Sequence, residues 1–149
     1  MKKMPAALTV LAMAALGVAV PVSSAQAAAS CADNYSGALS GYMYAYDYTY
    51  CEGLLGRAAG NDANWGDSGG SFQGGDANKA TSILNKGNNQ EVQFFNGTAT
   101  WTGGHICLSR NEGYASDLTN DYFTSGVLVS NAISSHRWVS AGTCDKWAV

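Results

Sequence analysis

The sequence has few of the residues and patterns from which active sites and helical folds are usually recognised. It contains only two histidines, and both of its prolines lie within the first 21 positions. No two cysteines are separated by two residues, and long helical periodicity is lacking. These absences argue against a zinc-ribbon protein and against a helical bundle.

The first 27 residues have the build of a secretory signal peptide. Lys2 and Lys3 precede an apolar run over residues 6–20, and an Ala-Gln-Ala sequence ends at Ala27. The apolar run is short for a membrane anchor, and no second hydrophobic span follows it. We therefore expect cleavage after Ala27, a secreted, extracellular protein and one mature domain over residues 28–149.

Basic residues are scarce in the expected mature domain. Without Lys2 and Lys3 it carries six basic and eleven acidic side chains, and the basic ones are scattered singly along the chain. Nucleic acids and anionic membranes both bind clustered Lys and Arg. We therefore expect neither as a partner.

The four cysteines all lie in the expected mature domain, at Cys31, Cys51, Cys107 and Cys144. An even number of cysteines in an exported chain indicates disulfides, here two. The spacings of 20, 56 and 37 residues do not resemble a metal site. Three pairings are open, of which Cys31–Cys51 with Cys107–Cys144 keeps both bridges local.

Alternation of side chains predicts short strands. The segment over residues 42–50 has tyrosine at every second position, and Asn96-Gly97 separates two β-rich runs as in a tight hairpin. The segments "HICLS", "GVLVS" and "SSHRWV" are further strand candidates. Many short strands separated by glycine turns indicate an all-β sandwich or barrel.

One element of the chain occurs twice. The sequence "NKATSILNKG" (78–87) aligns with "NAISSHRWVS" (131–140), and each copy follows an aromatic segment and a glycine. Both copies contain N-x-x-[ST]-S. Two copies of one unit indicate a domain built from two similar motifs.

This repeat resembles the βγ-crystallin Greek key, which combines an aromatic hairpin, a glycine and a later serine. Together with Cys107-Leu108 and the ending "AISSHRWV", the chain most resembles the secreted peptidase inhibitors of family I36. The resemblance implies a βγ-crystallin-like sandwich of two Greek-key motifs, at about residues 40–88 and 89–140. It also implies a non-enzymatic inhibitor whose partner is a secreted proteinase of the thermolysin type.

The same resemblance raises the question of calcium, the one cofactor to consider. βγ-Crystallin motifs of the form [ND]-[ND]-x-x-[ST]-S bind it through side-chain and carbonyl oxygens. Here the first position of the motif is Ala77 in one copy and Ser130 in the other, so each site lacks a ligand and weak binding is expected. The alternative is that the serine hydroxyls only close hairpins. The implied ligands are the side chains of Asn78 and Thr81 with the carbonyl of Lys79, and the side chains of Asn131 and Ser134 with the carbonyl of Ala132.

Ser134, Ser135 and His136 could be mistaken for a nucleophile beside its base. In a strand, however, neighbouring side chains point to opposite faces, so Ser135 and His136 cannot share a hydrogen bond. The first copy has Ile83 where the second has His136. We therefore predict a strand here and no catalytic residue.

Two aromatic segments could bind a partner. The tyrosine row could stack on carbohydrate, or its rings could fill the core. The glycine-rich stretch over residues 60–79 carries Trp65 and Phe72 in an otherwise polar sequence. It could be a binding segment or a packed surface loop.

Overall fold

The structure is a computed structural model that describes residues 30–99 and 101–149. The signal peptide predicted over residues 1–27 lies outside the described residues. Short 3₁₀ turns occur at Thr49–Cys51, Gly74–Asp76 and Ala141–Thr143. The helix and strands of the described chain are α1 (Cys31–Gly37), β1 (Met43–Tyr46), β2 (Leu54–Ala58), β3 (Ser82–Asn85), β4 (Glu91–Phe95), β5 (His105–Leu108), β6 (Tyr114–Ala115) and β7 (Ser135–Val139).

The strands form two antiparallel sheets that exchange elements between the halves of the chain. One sheet has the order β2-β1-β3-β6 and the other β5-β4-β7. Strand β6 comes from the second half but pairs with β3 of the first, through Ile83 opposite Ala115. In return, Asp62 of the first half forms a bridge with His136 in β7. This exchange ties the two halves into one sandwich.

The alternation in β1 places different side chains on the two faces of its sheet. Met43 and Ala45 point into the main core between the sheets. Tyr44 and Tyr46 point to the other face, where they pack with the disulfide cysteines. The tyrosine row therefore contributes buried rings, as one of the two sequence interpretations predicted. The main core also contains Trp65, Phe72, Ile83, Val92, Phe94, Ile106, Leu108, Leu118, Phe123, Val129 and Ile133.

Helix α1 was not anticipated by the sequence analysis. Its signal is a capping box: the Ser30 side chain accepts a hydrogen bond from the Asp33 backbone, and the Asp33 carboxylate accepts one from Ser30 N. Seven residues are too few to show a helical period. The helix packs against β6 and the 3₁₀ turn Thr49–Cys51 on the outer face of the first sheet.

Three strand predictions are confirmed and one is wrong. "HICLS" gives β5, "SSHRWV" gives β7, and part of the tyrosine row gives β1. "GVLVS" forms no strand; it contributes only an isolated bridge between Leu128 and Tyr122. Strands β4 and β5 do form a hairpin, but Asn96-Gly97 is not its tight turn, because the connection runs on to Gly104.

Both local disulfides are present, Cys31–Cys51 and Cys107–Cys144, and no cysteine is free. The first ties α1 to the 3₁₀ turn after β1, and the second ties β5 to the C-terminal segment. Two disulfides are typical of an extracellular protein. Within residues 30–99 and 101–149, no helix is long and apolar enough to cross a membrane.

Candidate functional site

The two repeated elements contact each other through a reciprocal pair of backbone hydrogen bonds. Asn78 N donates to the carbonyl of Ile133 at 2.8 Å, and Asn131 N donates to the carbonyl of Ala80 at 2.9 Å. Both asparagines have left-handed backbones, with φ of 60° and 58°. Asparagine adopts this conformation more readily than most residues, which accounts for its presence at the same point of each copy.

Three oxygen atoms, contributed by both copies, lie around the Thr81 hydroxyl. Thr81 Oγ1 lies 3.2 Å from Ser130 Oγ, 3.4 Å from Asn131 Oδ1 and 3.5 Å from the carbonyl oxygen of Lys79. Ser130 stands where the motif has Asn or Asp, and its hydroxyl still supplies an oxygen. We refer to these four residues as the threonine cluster.

A second group, formed by Asn78 and Ser134, contains fewer side-chain oxygens. Ser134 Oγ donates to Asn78 Oδ1 at 2.8 Å. Ala77 has no side-chain oxygen to add, and Ala132 packs its methyl group against the main core. The residues predicted as two separate sets are thus interleaved: Asn78 meets Ser134, and Thr81 meets Asn131.

Both oxygen groups are made of uncharged ligands. Within the described residues, no group of three or more His, Cys, Asp or Glu side chains could hold a metal ion. Calcium sites normally include carboxylates, which raise their affinity. The oxygen atoms that meet at the threonine cluster are thus hydroxyl, amide and carbonyl oxygens without a formal charge.

The last serine of each N-x-x-[ST]-S element, Ser82 or Ser135, closes a loop. The sequence analysis gave this as the alternative to calcium binding. Ser82 Oγ donates to the carbonyl of Tyr48 at 2.6 Å and accepts from Cys51 N at 3.0 Å. Ser135 Oγ donates to the carbonyl of Gly97 at 2.6 Å. These hydroxyls satisfy backbone groups that have no strand partner.

His136 is a core residue. Trp65 Nε1 donates to its Nδ1 at 2.9 Å, so Nε2 carries the proton and donates to the carbonyl of Gly60, also at 2.9 Å. Its side chain is fully buried, and burial lowers its pKa to about 4. Because both ring nitrogens and the Ser134 and Ser135 hydroxyls have other partners, they form no nucleophile–base pair.

The stretch over residues 66–70 has the form G-x-S-x-G, which sequence analysis overlooked. An exposed nucleophile of that form requires a sharp turn from a strand into a helix. Here Ser68 lies in a run of turns and bends. His136 is buried and His105 pairs with Asp145 at 2.6 Å, so neither histidine is hydrogen-bonded to Ser68.

The loop over residues 60–79 is packed, and its aromatic rings are not at the surface. Trp65 and Phe72 are both fully buried and stack with their centroids 4.0 Å apart. Asp62 organises the loop by accepting hydrogen bonds from Ser71 N and Phe72 N. Of the two interpretations of Trp65 and Phe72, the structure shows the packed surface loop and not the exposed binding segment.

The exposed aromatic surface lies instead at the end of the tyrosine row. Residues 47–53, which we name the tyrosine loop, follow β1. Tyr48 and Tyr50 are each 61% exposed, and Leu54 beside them is 58% exposed. The ring of Tyr48 lies against Gly53, where a Cβ would be only 2.8 Å from it. The loop thus presents two rings and a leucine to solvent.

The tyrosine loop is held at many points. Asp47 N donates to the carbonyl of Gly53, and Tyr50 N donates to that of Ser116. Asn34 Nδ2 donates to the carbonyl of Cys51. The side chain of Cys51 also forms the disulfide with Cys31. These contacts hold Tyr50 and Cys51 in left-handed conformations, with φ of 58° and 60°. Such backbones are costly for these residue types and persist only where the surroundings fix them.

Comparisons with known proteins identify the fold. No family model and no curated protein matches the chain. A solved structure from work on the evolution of the eye lens βγ-crystallin domain fold is similar with a TM-score of 0.55 and 19% identity, over 69% of this chain and 89% of that one. A βγ-crystallin from an archaeon has a TM-score of 0.49 and 20% identity, over 68% of this chain and 100% of that one.

The chain therefore has the βγ-crystallin domain fold, as its repeated elements predicted. At 19% identity the likeness concerns the fold. The function has to be argued from the residues of this chain.

Proposed function

We propose that the protein is a secreted, non-enzymatic binding module that inhibits a proteinase through the tyrosine loop. The observation that supports this proposal is the combination of exposure and rigidity in one loop. Tyr48 and Tyr50 are well exposed, while the backbone that carries them is tied by a disulfide and by hydrogen bonds to three other segments.

Rigidity matters because ordering a loop on binding costs free energy. A loop already fixed in one conformation loses little entropy when a partner binds. Tyrosine is also among the residues that contribute most to protein interfaces. A rigid loop with two exposed tyrosines is therefore well suited to contact another protein tightly.

The class of partner rests on the resemblance to the I36 inhibitors. That resemblance indicates a secreted metalloproteinase of the thermolysin type. The two disulfides are consistent with a protein that works outside the cell among such enzymes.

The proposal is tested by titrating the oxidised protein into a panel of secreted proteinases. The panel includes a thermolysin-type metalloproteinase, a serine proteinase and a cysteine proteinase. We expect loss of the metalloproteinase activity near equimolar inhibitor. Each enzyme is used at about micromolar concentration. If every enzyme keeps full activity when the protein is present in about tenfold excess over it, the inhibitor function is excluded.

A second candidate function is calcium binding at the threonine cluster. Its support is the meeting of Thr81, Ser130, Asn131 and the Lys79 carbonyl within 3.5 Å of one hydroxyl. The absence of a carboxylate from this group indicates weak binding, with a dissociation constant on the order of 10⁻⁴–10⁻³ M. Isothermal titration calorimetry with CaCl₂ measures this constant directly.

A further inference from the structure

A cleft of about 500 Å³ lies on the outer face of the first sheet, beside α1. It exists because the seven-residue helix is too short to cover four strands. Helix α1 packs over β6 and the 3₁₀ turn Thr49–Cys51, and the edge strand β2 stays largely exposed beside the buried tyrosines of β1. The volume is within the range of about 300–1,000 Å³ that is usual for ligand sites.

Strand register determines which side chains line the cleft. Tyr44 lies opposite Arg57 on the edge strand β2, and Tyr46 lies opposite Leu54. Cross-strand partners share a face, so these four side chains all point to the side of α1. Leu39, from the segment after the helix, completes the wall. The strand side of the cleft thus combines tyrosine rings and leucine side chains with one cation at its edge.

Arg57 has no acidic partner among the described residues. The ion pair that the described residues contain joins His105 to Asp145, and neither residue lines the cleft. The guanidinium carbon lies 5.4 Å from the centroid of the Tyr42 ring, which positions it at the rim. A guanidinium held in this way is suited to bind a planar carboxylate through two hydrogen bonds.

Tyr46 supplies a second polar group. Its side chain is only 5% exposed, but its hydroxyl is not among the buried unpartnered atoms and reaches solvent in the cleft, where no protein group of the described residues bonds to it. The neighbouring Tyr44 hydroxyl, by contrast, accepts a hydrogen bond from Leu39 N at 2.8 Å. A hydroxyl that opens into the cleft and is not held by another protein group can donate a hydrogen bond to an acceptor atom of a ligand.

Asp33, at the helix side of the cleft, disfavours a ligand with more than one negative charge. Its Oδ2 accepts hydrogen bonds from the backbone and the hydroxyl of Ser30, which keep the pKa of this carboxyl below its usual value. A negative charge on this side opposes a second anionic group on the ligand.

We propose that this cleft binds one carboxylate carried on an apolar or aromatic group. The carboxylate lies between the Arg57 guanidinium and the Tyr46 hydroxyl, and the apolar group packs against Tyr44, Leu39 and Leu54. The ligand is either a free organic acid or the C-terminal residue of a polypeptide, since both present the same chemistry. This inference does not rest on the proposed inhibitor function.

The test compares N-acetyl-phenylalanine with its uncharged amide as probes. Each is titrated into the ¹⁵N-labelled, oxidised protein and followed by amide chemical shifts. We expect the acid to shift resonances of β1 and β2 with millimolar affinity, and the amide to bind about tenfold more weakly, because it cannot form the charge-assisted hydrogen bonds.

Two variants assign the contacts. Arg57→Gln should weaken binding of the acid about tenfold, and Tyr46→Phe by a few-fold, since only one hydrogen bond is removed. Lys146→Gln, the matched loss of a positive charge outside the cleft, should bind as the native protein does. Equal affinity for acid and amide, or unchanged affinity in Arg57→Gln, would overturn the proposal. So would no shift at about 20 mM probe, well above the expected millimolar affinity.

A peptide arm distinguishes the two sources of the carboxylate. N-acetyl-Gly-Gly-Phe with a free C-terminus is compared with N-acetyl-phenylalanine. Tighter binding of the peptide supports the proposal with a polypeptide C-terminus as ligand. Equal binding supports it with a free organic acid. If the C-terminally amidated peptide binds as well as the free one, the carboxylate is not recognised and the proposal fails.

Discussion

Two segments of this protein carry aromatic residues among polar and small ones, and the fold treats them in opposite ways. In the loop over residues 60–79, Trp65 and Phe72 are completely buried. In the tyrosine loop, residues 47–53, Tyr48 and Tyr50 remain mostly exposed. Sequence composition does not distinguish the two segments.

The difference arises from what lies beneath each segment. The indole N–H of Trp65 finds an acceptor in His136, and Phe72 stacks on the same indole. A buried polar group with a partner is compatible with the core. In the tyrosine loop only Cys51 joins the cluster around the Cys31–Cys51 disulfide, and the rings of Tyr48 and Tyr50 take no part in it and stay outside. One aromatic loop closes the core, and the other presents a surface.

Removal of Trp65 should have the largest effect on stability. Trp65→Ala deletes a fully buried ring and leaves Nδ1 of His136 without its donor, so we expect a loss of about 3–5 kcal/mol. Chemical denaturation measures this loss. Tyr48→Ala is the matched aromatic control. A loss below about 1 kcal/mol for Trp65→Ala would show that the loop over residues 60–79 does not close the core.

Acid should destabilise the same loop through His136. Burial lowers its pKa to about 4 in the folded protein, against 6.5 for the ordinary side chain. Between these values the unfolded chain binds a proton that the folded one does not, so stability falls as the pH falls from 6.5 to 4. The expected loss is roughly 3 kcal/mol.

Denaturation at several pH values measures this slope. His136→Gln cannot take up the proton and provides the control. Its stability is lower throughout, but the part of the slope between pH 6.5 and 4 that comes from the histidine should disappear. An identical slope in the variant would contradict this assignment.

Removing the first disulfide should affect the tyrosine loop in particular. The double substitution Cys31→Ala/Cys51→Ala opens a bridge across 20 residues, which should cost about 3 kcal/mol. Amide hydrogen exchange should then increase at residues 47–53 and remain low at residues 62–72. Equal loss of protection in both segments would show that the bridge stabilises the fold as a whole and does not fix this loop specifically.

Calcium binding should distinguish the two oxygen groups, which adjoin the two aromatic loops. Thr81 precedes Ser82, whose hydroxyl holds the tyrosine loop, while the carbonyl of Ser134 accepts from Trp65 N. Because the threonine cluster has more oxygens, Asn131→Ala should reduce calcium affinity more than Asn78→Ala. Calorimetry compares the two variants. A greater effect of Asn78→Ala, or micromolar affinity in the native protein, would contradict this account of the ligands.

Local patterns were enough to predict part of this structure. Period-two alternation indicated β1 and β7, the cysteine spacing favoured the local bridges, and the repeat indicated two related motifs and their loop-closing serines. Interactions distant in sequence were not predictable in this way. The contact of Trp65 with His136 spans 71 residues. The pairing of Asn78 with Ser134 spans 56, which is why the two oxygen groups are interleaved rather than separate.

The tyrosine loop was also only partly predictable. The tyrosine row suggested a face of five rings, but the chain leaves the strand after Tyr46. Beyond Tyr46 the backbone is no longer an extended strand, so the rings of Tyr48 and Tyr50 do not point to the buried face that Tyr44 and Tyr46 share. Their exposure depends on the left-handed turn at Tyr50 and Cys51, which the disulfide and the Ser82 hydroxyl support.

Replacing the two exposed tyrosines of the tyrosine loop should change stability least and function most. Tyr48→Ala/Tyr50→Ala removes two exposed rings, so the free energy of unfolding should change by no more than about 0.5 kcal/mol per substitution. Tyr122→Ala, at another exposed tyrosine outside the loop, is the control. Both variants are compared with the native protein in the metalloproteinase assay proposed above.

The inhibition constant of Tyr48→Ala/Tyr50→Ala is the most direct test of the tyrosine loop as the binding surface. Removing two aromatic anchors from an interface costs about 2 kcal/mol or more, so this constant should rise at least about thirtyfold. Tyr122→Ala should inhibit as the native protein does. Unchanged inhibition by the double variant in a folded protein would contradict the account.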